Sequence, residues 1–268
     1  MKNTDFFTLA NGVAIPAIGF GTWQIPSGDI AYNSVREALK IGYRHVDTAQ
    51  AYGNEASVGK AIIDSGIPRS EIFVTSKLPA EIKSYEKAVV HAKMTMENIG
   101  LDYIDLYLIH APWPWREKGA DYTKENIEVW KAMEEFYESG KTRAIGISNF
   151  SVKDTEAILE NCRIRPAVNQ IKLHAGHPQK ETAEFCGKNG ILVEGYSPLA
   201  TGRLLKKETL AEMAEKYGKS VAQISVRYVL QKGALPLPKS VHPEYIRQNF
   251  DINFEISEDD IRRLDRLK

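Results

Sequence analysis

Eight times along this chain a short run of apolar and β-branched residues gives way to a longer stretch, and most of these stretches carry apolar residues at helical spacing. The short runs fall at 18–22, 45–49, 72–77, 103–110, 143–148, 167–171, 192–196 and 235–238. Two of them, YIDLYLIH and RAIGIS, are apolar on both pleat faces, as buried parallel strands are and half-solvated antiparallel strands are not. Helical patterns occupy 30–42, 85–100, 124–140, 152–162, 180–190 and 220–233, and five of these six end in the Gly that commonly stops a helix. In the first, Ile30, Val35 and Leu39, with Ala38 close by, are expected to form the inward stripe. A last amphipathic helix is expected over 256–267, with Ser257 as its N-cap.

Strands alternating with helices make a parallel α/β fold, and eight such units close a barrel. The length of 268 residues suits one, since such barrels run to about 250 residues. We therefore expect a (β/α)8 TIM barrel occupying 1–268 as one domain; nothing linker-like interrupts it. The opening segment FTLANGVAIP differs. Its Asn11-Gly12 pair between apolar runs signals a tight hairpin, expected to close the bottom of the barrel. A doubly wound sheet is the competing fold, but no strand-to-helix turn carries G-x-G-x-x-G, and Gly19-Phe20-Gly21 lacks the third glycine.

Lys plus Arg and Asp plus Glu both number 35. A balanced charge gives no overall attraction to nucleic acid or to an anionic membrane, so any anionic ligand needs a local cluster. Cys162 and Cys186 alone build neither a zinc site nor a disulfide framework and read as reduced thiols. The start of the chain lacks the apolar core of a signal peptide, and no apolar run approaches the roughly 20 residues that span a bilayer. The expected location is the cytoplasm.

In a barrel the reactive groups gather at the C-terminal ends of the strands. Asp47 ends the second strand, with Tyr52 in the loop beyond; Lys77 ends the third and His110 the fourth. Ser148 and Asn149 end the fifth, Gln170 lies near the end of the sixth, Tyr196 and Ser197 end the seventh, and Lys239 and Ser240 follow the eighth. Taken singly, each has an ordinary structural explanation. Four compatible types at three consecutive strand ends point to chemistry. A Tyr hydroxyl ionises near 10 in water, and a neighbouring ammonium favours its phenolate. An Asp beside that Lys keeps the ammonium charged, and a His can donate a hydrogen bond to a substrate oxygen. Together they make an acid able to protonate a developing alkoxide. No Ser or Cys at a strand end has a partner base for acyl transfer. His174 and His177 form an H-x-x-H without an acidic base or third ligand, so no metal is expected. Trp113 and Trp115, in APWPW, could wall a pocket or only pack their loop.

These residues sit in motifs that resemble the aldo-keto reductase family, particularly its prokaryotic members that reduce 2,5-diketo-D-gluconate or methylglyoxal, across essentially the whole chain. GYRHVDTAQAYGNEASVG (42–59), GKTRAIGISNF (140–150) and LPKSVHPEYIRQN (237–249) are similar to the three family signatures, and VTSKL (74–78) and LIHAP (108–112) to the segments bearing its catalytic Lys and His. The resemblance implies NADPH-dependent reduction of aldehydes, ketones or dicarbonyls, with Tyr52, Asp47, Lys77 and His110 as the catalytic set. It implies that Ser148, Asn149 and Gln170 hold the nicotinamide carboxamide and that Tyr196 stacks on its ring. Ser197 and Leu199 would cover the pyrophosphate. Lys239, Ser240 and Val241 would meet the 2′-phosphate end, and Gln248 and Asn249 the adenine.

Three departures modify that expectation. Tyr245 stands where the family usually has an Arg that contacts the 2′-phosphate, which opens NADH use, with Lys239 keeping NADPH ahead. Ala111 replaces a Trp found after the catalytic His in many relatives, leaving Trp23 and Trp113 as pocket walls beside it. The chain also ends at Lys268, without the long C-terminal loop of many animal relatives, so an open, tolerant site is expected; the resemblance implies a monomer. Two alternatives remain at this point: a cofactor-binding regulatory subunit without turnover, and a metal-dependent barrel hydrolase.

Overall fold

A computed structural model of the chain describes residues 1–268. An antiparallel hairpin, β1 (Phe6–Thr8) and β2 (Ala14–Pro16), comes first. Then follow β3 (Phe20–Gly21), α1 (Asp29–Ile41), β4 (His45–Asp47), α2 (Glu55–Ile63), β5 (Phe73–Leu78), α3 (Tyr85–Ile99), β6 (Ile104–Ile109), α4 (Thr123–Glu138), β7 (Thr142–Ser148), α5 (Val152–Asn161), β8 (Val168–Lys172), α6 (Lys180–Lys188) and β9 (Leu192–Tyr196). The chain closes with α7 (Glu208–Tyr217), α8 (Val221–Gln231), β10 (Leu235–Leu237), α9 (Pro243–Phe250) and α10 (Glu258–Asp265). Strands β3 to β10 form one parallel ladder in chain order. Its edges meet where the Gly19 and Gly21 amides donate to the carbonyls of Pro236 and Pro238 at 3.1 and 3.0 Å. Gly19 is required there: a Cβ would lie 2.5 Å from Leu237 Cδ2 and 2.6 Å from His45 Nδ1. The eight expected strands are the eight staves of this barrel.

Alternation along each strand sorts its side chains into two layers. Outward residues such as Val46, Val74, Tyr107, Ile109, Ile145 and Ile147 pack against the inner faces of α1 to α5, and Ile171 and Val193 pack against α6 to α8 and α10. Inward residues at the base of the barrel, Phe73, Leu106, Ala144, Val168 and Leu235, meet Leu9 and Ile15 of the hairpin. The hairpin is thus a plug over the bottom, turned at Gly12 with φ +83° and tied by Asn11 Nδ2 to the Arg143 carbonyl at 2.9 Å. Above this apolar base the barrel interior turns polar, with His45, Asp47, Thr75, Lys77, Gln170 and Glu194 all buried.

Side-chain caps fix several helix starts: Ser151 with Asp154, and Ser220 with Gln223, form reciprocal boxes, and Ser257 accepts from the Asp260 amide as expected. In α1 the inward stripe is Ala31, Ser34, Val35, Ala38 and Leu39, whereas Ile30 points to solvent. It lies one position off the face, so its partner on the core side is Ala31. Three helices carried no legible pattern. α2 is short and apolar on several sides, α7 buries only Leu210 and Met213, and α9 only Ile246 and Asn249. Two inward residues are too few to register as a period.

Candidate active site

Residues from seven strands or their following loops converge at the C-terminal mouth of the barrel. Lys77, at the end of β5, is 0% exposed; its ammonium donates to Asp47 Oδ1 at 2.7 Å, Asp47 Oδ2 at 2.8 Å and the Thr48 carbonyl at 2.8 Å. Burial works against that charge, but Asp47, by its charge and its hydrogen bonds, holds the Lys77 pKa above its ordinary value. Tyr52 rides on a single 3-10 turn, Gln50–Tyr52, ended by Gly53 with φ +69°. Its ring centroid lies 5.0 Å from Lys77 Nζ and 5.5 Å from the His110 ring. Buried Asn54 anchors this turn: it accepts from Thr48 Oγ1 at 2.7 Å and donates to the Thr22 and Ile25 carbonyls at 3.0 Å each. It therefore binds the Tyr52 loop to the Trp23 loop, a role its place in the signature did not reveal.

The electrostatics refine one expectation. Desolvation raises the Tyr52 pKa more than Lys77 lowers it, with Asp47 adding to the rise, so Tyr52 is a neutral phenol that keeps its proton. The Lys77 ammonium beneath the ring is placed to favour negative charge on the phenol oxygen, though not enough to offset burial. His110 is nearly buried, and burial with nearby Lys77 pushes its pKa down to about 3, so the ring is neutral. Its Nδ1 is buried without a partner. A bare acceptor nitrogen tolerates that better than an N–H, which puts the hydrogen on Nε2.

The expected cofactor residues line one side of this set. Ser148 Oγ donates to the Gln170 carbonyl at 2.8 Å, Asn149 Nδ2 donates to the His110 carbonyl at 3.0 Å, and Tyr196 OH donates to Asn149 Oδ1 at 2.7 Å. Asn149 (φ +62°) and Ser197 (φ +52°) hold the left-handed backbone that side chains seldom adopt. Such conformations persist where the surroundings over-determine them, most often at functional sites. Ser197, Leu199 and the 3-10 stretch Ala200–Lys206 follow β9. Beyond β10, Lys239 is exposed and free of any ion pair, Ser240 Oγ accepts from the His242 amide at 3.1 Å, and Val241 and Gln248 are exposed. Asn249 is buried with its Oδ1 unpartnered. Tyr245 is 52% exposed beside His242, and Arg247 turns away toward Glu37 at 3.6 Å.

Two pocket expectations change. Ala111 exposes no surface, so its methyl does not line the mouth; its carbonyl accepts from Lys83 Nζ at 2.8 Å. Trp115, rather than Trp113, packs edge-on against His110 at 5.4 Å, with Trp113 behind it at 5.3 Å. Trp23 stands 46% exposed on the other loop. One buried ionisable group in the barrel was not anticipated from the sequence. Glu194, in β9, is fully buried, accepts from Gln170 Nε2 at 2.7 Å, and is pushed up to about 8 by burial and by Asp47. A charge inside the run ILVEGY, two residues before Tyr196 and so on the same pleat face, was the available signal.

A parallel barrel with a Tyr, a Lys–Asp pair and a neutral His at its C-terminal mouth defines a class of barrel oxidoreductases that act on carbonyl groups. The family model described as "Aldo/keto reductase family" matches residues 17–268, and the chain belongs to that family. It is similar to the glyoxal reductase of Bacillus subtilis (strain 168), 43% identical over 264 residues, with 98% of this chain and 92% of the relative covered. Among solved structures it is similar to an aldo/keto reductase from Brucella melitensis, with TM-score 0.92, 40% identity and coverage of 100% and 99%. It is also similar to an aldo-keto reductase from Bombyx mori in complex with NADP, with TM-score 0.89, 32% identity and coverage of 100% and 94%.

Proposed function

We propose that this aldo/keto reductase uses NADPH to reduce small aldehydes, ketones and dicarbonyls such as glyoxal to alcohols, with Tyr52 as the general acid. The observation that carries the reading is the fully buried Lys77 ammonium, paired with Asp47 and set beneath the Tyr52 ring. The cofactor, when bound, supplies the hydride. Tyr52 gives its proton to the carbonyl oxygen, and Lys77 stabilises the phenolate left behind. His110 Nε2–H orients that oxygen, and the Trp23, Trp113 and Trp115 loops hold the substrate and exclude water.

The donor set fits the cofactor. Gln170 Nε2 is taken by two carboxyl groups, which leaves Oε1 as an acceptor for a carboxamide NH2. Ser148 and Asn149 complete that contact, and Tyr196 offers a ring for stacking. Asn249 Oδ1, buried and unpartnered, suits the adenine amino group. Ser197, Leu199, Ser240, Val241 and Gln248 cover the remainder. Lys239, exposed and unpaired, favours the 2′-phosphate and hence NADPH, while Tyr245 supplies no charge there. We place all of this in one domain, 1–268, acting as a monomer.

Titration with NADPH and with NADH, followed by Trp fluorescence, tests the reading alongside a screen of aldehydes and dicarbonyls. Binding of NADPH ahead of NADH, with turnover of a carbonyl substrate, supports it. Binding without turnover of any carbonyl returns the protein to a cofactor-binding regulatory role.

A further inference from the structure

One cation and two carboxyl groups share the floor of the site. Gln170 Nε2 donates to Asp47 Oδ2 at 2.8 Å and to Glu194 Oε2 at 2.7 Å, so a single amide bridges the two acids. Lys77 is the cation, and it is committed to Asp47 and the Thr48 carbonyl. Glu194 has no ion-pair partner, its Oε1 is buried without a hydrogen bond, and the side chain is fully buried. Were both acids ionised, the buried group would carry a net negative charge directly below Tyr52. Were both neutral, Lys77 would lack its counter-ion. One proton on Glu194 balances the set, because isolated buried charge is far costlier than a neutral carboxyl.

We propose that Glu194 is a positioning residue for the reduction: it stores a proton beneath the site, keeps Lys77–Asp47 as the single ionised pair under Tyr52, and with Asp47 pins Gln170 so that Oε1 faces the nicotinamide. This deepens the function proposed above and rests on it. An amide whose NH2 has two carboxyl acceptors has only one good orientation. Loss of the Glu194 proton adds an anion across that bridge. The anion opposes the phenolate that Tyr52 becomes on giving up its proton, so reduction slows as Glu194 ionises.

The groups that face Glu194 leave it alone to titrate near pH 8. From β4 come Asp47, paired with Lys77, and His45, which burial and Lys77 push down to about 3. From β5 comes Lys77, held above its ordinary value, and above it lie Tyr52, raised by burial, and neutral His110. From β8 the facing group is the uncharged Gln170. Tyr196, on β9 itself, is pushed up to about 12 by burial. β10 presents Leu235 and Leu237. Lys172 at the end of β8 stands beside His174 and His177.

The test is single-turnover hydride transfer, read as loss of NADPH absorbance from pH 6 to pH 10, in wild type and Glu194→Gln, with NADPH affinity measured for both and for Glu194→Leu. Wild type is expected to slow by about three- to tenfold across an ionisation near pH 8, the effect of one added anion beside an acid. Glu194→Gln, whatever its absolute rate, is expected to lose that limb. Glu194→Leu, which deprives Gln170 of an acceptor, is expected to weaken NADPH by about tenfold. A Glu194→Gln profile that keeps the wild-type limb overturns the proposal, as does a Glu194→Leu protein that melts lower but binds NADPH normally. Tyr52→Phe separates the two levels: if it reduces carbonyls at the wild-type rate, the acid assignment itself fails, independently of Glu194.

Discussion

Lys77→Met is the most exacting perturbation of this site. Met keeps most of the length and apolar volume of the side chain but removes three hydrogen bonds, two to Asp47 and one to the Thr48 carbonyl, from a position with no exposure. Asp47 is left with only the Gln170 amide. Removing one member of a buried ion pair costs about 3–5 kcal/mol. For a chain of 268 residues, whose unfolding entropy is about 2.1 cal/mol/K per residue, that lowers Tm by about 5–9 °C. In the double variant Asp47→Asn/Lys77→Met no charge is stranded, and more than half of the loss should return, the two sites being in contact and therefore non-additive. Hydride transfer should fall by about 10²- to 10⁴-fold in both variants, since Tyr52 loses the cation that stabilises its phenolate. Calorimetry and stopped-flow absorbance at fixed pH read the two effects separately. A single variant as stable as wild type, or a double variant less stable than the single, refutes the buried-pair reasoning; undiminished hydride transfer refutes the role of Lys77.

Tyr52→Phe should slow single-turnover reduction by about 10²- to 10⁴-fold while NADPH still quenches Trp fluorescence. Lys239→Ala should weaken NADPH by about 10- to 100-fold and leave NADH nearly unaffected; equal losses for both cofactors would move the 2′-phosphate elsewhere. Gly59→Ala would put a Cβ 1.7 Å from the Ile99 carbonyl oxygen, forcing α2 and α3 apart at a cost of about 2–3 kcal/mol, read as a lower urea midpoint. Burial raises Glu194 from 4.5 to about 8, so the stability its proton contributes is complete below pH 4.5 and lost as pH rises through 8. Glu194→Gln should therefore gain on wild type in urea midpoint between pH 6 and pH 9, and a constant difference would contradict the assignment.

The alternation of apolar runs and amphipathic stretches determined the barrel, because a strand buried on both faces and a helix buried on one leave different periods in the chain. The hairpin was legible in Asn11-Gly12 for the same local reason, and the strand-end positions of Asp47, Lys77, His110 and Tyr196 followed from counting along the runs. Helices α2, α7 and α9 were not legible: α2 is short and apolar on several sides, and α7 and α9 each bury only two residues, too few to print a period. The closure of the barrel through Gly19 and Gly21 onto Pro236 and Pro238 joins residues more than two hundred positions apart, and no local pattern encodes that distance. The protonation of the site was likewise decided only by the tertiary structure. Sequence named Tyr52 and Lys77 and suggested a phenolate. Burial, which depends on what the other strands place around them, keeps Tyr52 neutral, holds His110 neutral, and sets Glu194 across one amide from Asp47. The cost of a buried charge depends on the whole enclosure, so the types of the reacting residues can be read along the chain, while their charges belong to the fold.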